Sequence, residues 1–317
     1  MAGERAGSVG SVSGVRTQEL ARAPGLLGLY ARALVPRGAT GGAASVPDIR
    51  LALRAAPADR VRLRRYAEVC GFPDRQRLPA TYPHLVAFPL AMALMTRRDF
   101  PFPLLGLVHI ANRIEQRRPL SAAEWLSYEV GVRRPYGHPK GTAFKVVAEA
   151  SAGPDVVWRS VSTYLYRCGS GAPRPGPRPV DSGAETDGEL AGGAVIDGRW
   201  GVPASTGRAY AAVSGDRNPI HLHPLAARPF GFPGAVAHGM WTKARCLAAL
   251  DEVLPGAFKA QVAFRAPLLL PGEVRFRAAP AAPSAPFPVG DGQGWAFEVC
   301  GEESGRRHLS GSVTPLG

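Results

Sequence analysis

Residues 214–221 read SGDRNPIH, and residues 238–240, which follow a stretch rich in Ala, Phe and Gly, read HGM. Gly215 and the pair Asn218-Pro219 interrupt regular backbone, so the first segment is predicted to be a loop or irregular turn. Loops held by a rigid scaffold are where binding and catalytic residues concentrate. The turn is therefore the candidate functional centre of the chain.

Asp216 and His221 stand five residues apart across this turn, and their side chains can converge on one small molecule. A carboxylate beside an imidazole is a common pair for general acid–base catalysis, because burial and mutual charge can separate their pKa values. Taken alone, the pair also fits a structural role, in which Asp216 caps the turn and His221 bonds a backbone carbonyl. The combination with the next motif favours catalysis.

His238 and Gly239 come directly before a segment with helical periodicity. The first amides of a helix lack intrahelical partners and lie at the positive end of its dipole. A glycine there lets a ligand approach the backbone closely. We predict that the Gly239 amide forms an oxyanion hole, which binds a polarised carbonyl oxygen.

Outward from these motifs, both halves of the chain predict one helix followed by an antiparallel meander. The predicted helix of the second half spans residues 239–254 and ends at Pro255-Gly256, and its strands span 261–265, 273–278, 295–300 and 309–314. The predicted helix of the first half spans 84–95, and its strands span 107–114, 125–132, 144–150 and 156–166. This pattern predicts an α+β fold built from a diverged internal repeat.

Composition sets the expected boundaries between these units. Residues 1–45 are rich in Gly, Ala and Ser and predict a flexible N-terminal arm with one short helix around residues 28–34. Residues 169–195 are dense in Pro and Gly without periodicity and predict a linker. The first domain is then expected at 46–168 and the second at 196–317.

The 317 residues carry a formal net charge of +13, and only four of the 38 basic residues are lysines. The arginines are scattered or in short pairs without a basic motif interleaved with aromatics, so no nucleic-acid partner is expected. No apolar run approaches the ~20 residues of a membrane span, and the N-terminus has no apolar core of a secretory signal. We expect a cytoplasmic protein without a membrane span.

The turn and the HGM segment together resemble the hydratase 2 motif of MaoC-like dehydratases, over roughly residues 200–317. These are hot dog fold enzymes that interconvert (R)-3-hydroxyacyl and trans-2-enoyl thioesters. Residues 88–95 and 102–109 are similar, more weakly, to the degenerate first hot dog of the two-domain 3-hydroxyacyl-thioester dehydratase subgroup. The first half has no Asp-x-Asn-Pro-x-His, and His223 departs from the acidic or amide residue of many single-domain members.

The resemblance implies a double hot dog, in which each unit is an antiparallel sheet wrapped on a central helix. It implies that Asp216 and His221 are catalytic, that Asn218 orients them or a water, and that Ser214 shapes the pocket. It implies no metal and no organic cofactor. The substrate would be an acyl-coenzyme A or an acyl-acyl carrier protein, for which Lys243 and Arg245 are the candidate contacts, and a homodimer is expected.

Three alternatives stay open at this point. His221, His223 and His238, with Asp216 nearby, have spacing that is typical of metal ligands. The chain could also be a non-catalytic subunit that binds acyl thioesters, although such a module has no chemical need for Asp216 and His221. A hot dog thioesterase is the third alternative.

Overall fold

The structure is a computed structural model that describes residues 16–33, 46–73, 76–104, 106–167, 190, 194–281 and 294–317. The elements of the N-terminal part are β1 (Arg16–Leu20), α1 (Leu26–Ala33), β2 (Ile49–Pro57), α2 (Arg60–Cys70), α3 (Tyr82–Met95), β3 (Leu107–Gln116), β4 (Trp125–His138), β5 (Gly141–Ala152) and β6 (Asp155–Tyr166). Those of the C-terminal part are β7 (Ile196–Val202), α4 (Thr206–Ser214), α5 (Pro219–Leu222), α6 (Pro224–Ala227), β8 (Ala235–Val236), α7 (Gly239–Ala249), β9 (Phe258–Phe264), β10 (Leu269–Leu270), β11 (Gly272–Pro280), β12 (Trp295–Gly301) and β13 (Arg307–Pro315).

One sheet of 11 strands contains all of these strands except β8 and β10, in the order β1-β2-β4-β5-β6-β3-β9-β13-β12-β11-β7. Neighbouring strands are antiparallel, except that β1 pairs with β2 in parallel. Counted outward from the central pair β3–β9, the first half runs β3-β6-β5-β4-β2 and the second runs β9-β13-β12-β11-β7. Each half places its strands in the same sequence order, which is the topology expected of an internal repeat.

Two helices occupy equivalent positions in the two halves, α3 before β3 and α7 before β9. The α3 sequence YPHLVAFPLAMALM has apolar residues on every face and is mostly buried, as expected of a helix enclosed by protein. It contacts β2, β4 and β5. The α7 helix is also mostly buried. These helices start at Tyr82 and Gly239, close to the predicted residues 84 and 239.

The predicted strands and the first central helix agree with the structure to within a few residues, except that β4 continues to His138, six residues past its predicted end. The second central helix starts as predicted at Gly239 but ends at Ala249 and not at residue 254. Eight elements of the two halves are not among the predicted ones: β2, α2, β7, α4, α5, α6, β8 and β10. Most of the predicted linker 169–195 lies outside the described residues, as do residues 1–15 and 34–45 of the predicted arm. Residues 16–33 of that arm are ordered: α1 lies close to the short helix predicted at 28–34, whereas β1 was not predicted. No helix of the described residues combines the length and apolar character that a membrane crossing requires.

Candidate active site

The turn between α4 and α5 presents the Asp216 carboxylate. The chain leaves α4 through Gly215 at φ +81°, a left-handed conformation that glycine adopts without strain. The Ser214 hydroxyl accepts a hydrogen bond from the Asp216 amide at 3.1 Å, and Asp216 Oδ1 accepts one from the Asn218 amide at 3.2 Å. Asn218 Oδ1 accepts from the Ile220 amide at 3.4 Å and caps α5. Ser214 and Asn218 therefore hold the turn that carries Asp216.

His221, on the short helix α5, is oriented by a backbone carbonyl. Its Nδ1 lies 2.7 Å from the Val236 carbonyl oxygen, which can only accept, so Nδ1 carries the proton. The Nε2 lone pair is left free for chemistry. The ring stacks on that of His238, with centroids 3.7 Å apart, and His238 Nε2 donates to the Asp216 carbonyl oxygen at 2.9 Å. Asp216, His221 and His238 each bring one donor or acceptor atom within 4.8 Å of the other two.

Burial and neighbouring charges determine the protonation states of Asp216 and His221 at neutral pH. Burial by itself would raise the pKa of Asp216, but the neighbouring His238 and His221, with hydrogen bonds from Asn218 and Tyr30, lower it below its ordinary value. Burial lowers the pKa of His221, against the opposing effect of Asp216, and lowers that of His238 to about 3. Asp216 is therefore ionised at neutral pH while both imidazoles are uncharged.

Gly239 is the first residue of α7, and its amide has no intrahelical partner. A Cβ at this position would lie 2.9 Å from Cε1 of Phe264 on β9, a distance that real Cβ atoms almost never show. The aromatic ring therefore fills the space that a side chain would need. Glycine lets the ring pack directly beside the helix N-terminus, where the dipole favours a partial negative charge.

Comparison with known proteins provides evidence of the family of this chain that is independent of the site geometry. Residues 201–281 match the sequence profile of the MaoC like domain. The 3-hydroxyacyl-thioester dehydratase X of Mycobacterium tuberculosis is 33% identical to the chain over 274 residues, which cover 86% of this chain and 91% of the relative. The chain belongs to the MaoC-like dehydratase family.

Solved structures agree with this family membership. A crystal structure of HtdX from Mycobacterium tuberculosis matches this MaoC-like chain with a TM-score of 0.68 and 32% identity, over 84% of this chain and 100% of that one. A crystal structure of a MaoC-like dehydratase from Phytophthora capsici has a TM-score of 0.65 over 86% of this chain and 96% of its own, at 18% identity. At that identity, the second likeness concerns the fold alone.

Replacing Gly239 with alanine is expected to lower kcat of this MaoC-like protein by about 10–100-fold, because the new methyl group forces Phe264 or the amide out of place. Gly201→Ala is the matched control, since a Cβ at Gly201 meets nothing within 4 Å. The measurement is kcat on an enoyl thioester for both variants. Equal rates in the two variants would contradict an oxyanion hole at Gly239.

The predicted carrier contacts need one correction. Lys243 is completely buried on α7, and its ammonium donates to Asn112 Oδ1 at 2.6 Å, to the Asn112 carbonyl at 3.3 Å and to the Ala260 carbonyl at 3.0 Å. The prediction that Lys243 contacts the carrier is wrong, because all three N–H groups join α7 to strands of both halves. Arg245 is partly exposed, and its guanidinium lies over the Trp200 ring at 5.0 Å from the centroid. A carrier contact by Arg245 stays a prediction.

The most important residue that the sequence did not reveal is Tyr30 of α1. Its hydroxyl donates to Asp216 Oδ1 at 3.1 Å and accepts from the Arg217 amide at 2.7 Å. Tyr30 is 186 residues from Asp216, in a segment with linker-like composition on both sides. The apolar spacing of Leu26, Leu29 and Tyr30 suggests a helix, but nothing in it points to a catalytic turn.

The first half of this MaoC-like chain also contributes polar side chains near the pair. Burial lowers the pKa of His84 on α3 to about 4 and that of His109 on β3 to about 3, and Asp216 is close enough to oppose both shifts. The His109 ring stacks on Tyr164, with centroids 4.7 Å apart, and lies 5.0 Å from Phe264. Two uncharged imidazoles of the first half therefore lie near the turn that carries Asp216.

The metal alternative is judged by the same geometry. Among the described residues, Asp216, His221 and His238 are the group whose atoms approach closely enough to share an ion. His221 Nδ1 and His238 Nε2 donate to carbonyl oxygens, which is also the usual second-nitrogen contact of metal-binding histidines, and the two rings are stacked at 25°. His223 accepts from the Leu225 amide at 3.2 Å and caps α6. Activity before and after treatment with a chelator separates this alternative from catalysis without a metal.

Proposed function

We propose that this MaoC-like dehydratase interconverts trans-2-enoyl and (R)-3-hydroxyacyl thioesters in fatty-acid metabolism. The observation that carries the proposal is the ionised Asp216 beside the free Nε2 of His221, near the unpaired Gly239 amide at the N-terminus of α7. An ionised acceptor, a neutral base and an oxyanion donor are the groups that addition of water to a conjugated thioester requires.

The Gly239 amide and the Asp216–His221 pair act on different atoms of the substrate. The thioester carbonyl oxygen accepts a hydrogen bond from the Gly239 amide, which polarises the enoyl form and acidifies C2 of the hydroxyacyl form. In hydration, a water held by Asp216 and His221 loses a proton to the pair as its oxygen bonds to C3. A proton is delivered to C2 on the same face, so the pair returns to its starting charge. The two residues interact strongly, and the protons belong to the pair.

We propose further that the chain is a double hot dog, with the boundaries 46–168 and 196–317. The matching strand order of the two halves and their equivalent helices α3 and α7 support this assignment. The first half lacks the Asp-x-Asn-Pro-x-His motif and has no catalytic pair of its own. Its contribution is the wall of the site that holds His84, His109 and Tyr164.

The acyl carrier is proposed to be coenzyme A or acyl carrier protein. The first carries phosphates and the second is acidic, so each suits a chain with a net charge of +13. Arg245 is the candidate contact on α7. A homodimer is part of the same proposal and is tested by the molecular mass in solution.

The experiment that tests the function is a spectrophotometric assay of the purified protein with crotonyl-coenzyme A. We expect loss of enoyl absorbance without release of free thiol, and product analysis should show (R)-3-hydroxybutyryl-coenzyme A. Release of thiol would instead indicate a thioesterase, and tight binding without turnover would indicate a binding subunit. Full activity after chelator treatment is expected, whereas loss restored by added metal would favour the metal alternative.

A further inference from the structure

The N-terminal segment, residues 16–33, lies outside both repeats but is anchored to each of them. Strand β1 adds to the edge of the sheet by pairing with β2, from Arg16 opposite Ile49 to Leu20 opposite Leu53. Helix α1 contacts α3, and Leu29 is buried. Helix α1 therefore packs on the first half and reaches the turn of the second half that carries Asp216.

At the turn, α1 makes two specific contacts. A Cβ at Gly215 would lie 2.2 Å from Leu26 Cδ1, so the Leu26 side chain rests where only a glycine leaves room. One helical turn later, the Tyr30 hydroxyl lies between Asp216 Oδ1 and the Arg217 amide. The apolar contact positions the helix, and the polar contact reaches the carboxylate.

The hydrogen bonds determine the direction of the Tyr30 hydroxyl. The Arg217 N–H can only donate, so it occupies a lone pair of the hydroxyl oxygen at 2.7 Å. The single hydroxyl hydrogen is then directed to Asp216 Oδ1 at 3.1 Å. The Asn218 amide donates to that same oxygen at 3.2 Å. Two donors hold Oδ1, which leaves Oδ2 as the carboxylate oxygen that faces the reacting water.

We infer that Tyr30 is a positioning residue for the catalytic carboxylate, so that the segment 16–33 completes an active site that neither repeat contains alone. This inference rests on the proposed hydratase function. A hydrogen bond to an ionised group contributes more than one between neutral groups, and its removal at a reacting carboxylate affects both orientation and protonation. A residue that only anchored α1 would affect neither.

The test is Tyr30→Phe, which keeps the ring and removes the hydroxyl. We expect kcat on crotonyl-coenzyme A to fall by about 10–100-fold with little change in KM, as for a hydrogen bond to a charged group. Asp216 and His221 titrate as a pair, so the acidic limb of the kcat profile reports both residues. Loss of the donor raises the pKa of Asp216 and should move that limb to higher pH. The other titratable groups whose pKa values respond to this carboxylate are His221, His238, Tyr210, His84, His109 and Tyr164.

Tyr82→Phe is the matched control, because it removes a tyrosine hydroxyl that donates to the Asp59 carbonyl at 3.2 Å, away from the turn. It should leave kcat and the pH profile as in the wild type. The inference is overturned if Tyr30→Phe behaves like this control, or if its lower rate comes with an unchanged pH profile and a lower thermal midpoint. NMR titration of the Asp216 carboxyl in the wild type and in Tyr30→Phe measures the same pKa shift without an assay of turnover. Inactive wild-type protein would contradict the proposed function, and an unshifted Asp216 titration would contradict only the role of Tyr30.

Discussion

Asp216→Asn is expected to lower kcat for hydration by about 10²–10⁴-fold, the range for removal of one general acid–base group. The amide oxygen of asparagine can still accept from Tyr30 and from the Asn218 backbone, so the turn should keep its conformation. The amide nitrogen, however, has no basicity and carries no charge to hold the water. The loss should therefore appear in kcat, with near-normal thermal unfolding.

The assay compares this variant with Asp99→Asn, in which the altered carboxylate is an exposed partner of Arg97 at 2.8 Å. An exposed ion pair contributes little to stability, and this control should retain wild-type kcat. A variant Asp216→Asn that keeps a third or more of the wild-type rate would remove Asp216 from the catalytic pair.

His221→Ala should reduce kcat by a similar factor of about 10²–10⁴, because it removes the free Nε2 that faces Asp216. The pH profile provides a second measurement in the wild type. Since burial lowers the pKa of His221 below 6.5, the imidazole is neutral at neutral pH and becomes protonated as the pH falls through that lowered value. The rate should be level near pH 7 and decline on the acidic side.

His223→Ala is the control for this prediction, two residues along the chain. His223 caps α6 through the Leu225 amide, so its loss should cost about 1 kcal/mol of stability and leave kcat within a few-fold of the wild type. Comparable losses of activity in the two variants would show that the segment tolerates no change, and would contradict a specific role for His221.

The helices and strands were largely predictable because their signals are local. Apolar residues alternate with charged ones along β11 and recur at helical spacing in α7, so each pattern can be recognised within one element. Helix α2 is not among the predicted elements, although its buried residues Leu63, Tyr66, Ala67 and Cys70 stand at helical spacing. The arginines between them obscured a pattern that the sequence does contain.

The turn that carries Asp216 and His221 was predictable for the same reason. Asp216, Asn218 and His221 lie within six residues, and the Asn-Pro pair with a preceding glycine predicts an irregular turn. Its hydrogen bonds are local: Asp216 bonds to Ser214 and Asn218 bonds to Asp216, in each case across two positions of the chain. Gly239 was likewise predicted from its place at the start of a helical pattern.

Lys243 shows where local reasoning fails. Its position four residues after Gly239 suggested the mouth of a substrate site, and a lysine is ordinarily exposed. Which face of α7 turns toward the seam between β3 and β9 depends on how the two halves pair, and no signal within the helix reveals it. The acceptors on Asn112 and Ala260 make burial of the ammonium possible.

The sequence by itself determined the two repeats, their central helices and strands, the turn that carries Asp216 and His221, and the glycine at the start of α7. The tertiary structure alone decided what surrounds that turn: Tyr30 from the N-terminal segment, His84 and His109 from the other half, and the burial of Lys243. The physical reason is distance along the chain. Periodicity, turns and helix ends arise among neighbouring residues. Tyr30, in contrast, is 186 residues from Asp216 and Lys243 is 131 residues from Asn112, so these contacts exist only once the sheet of 11 strands has formed.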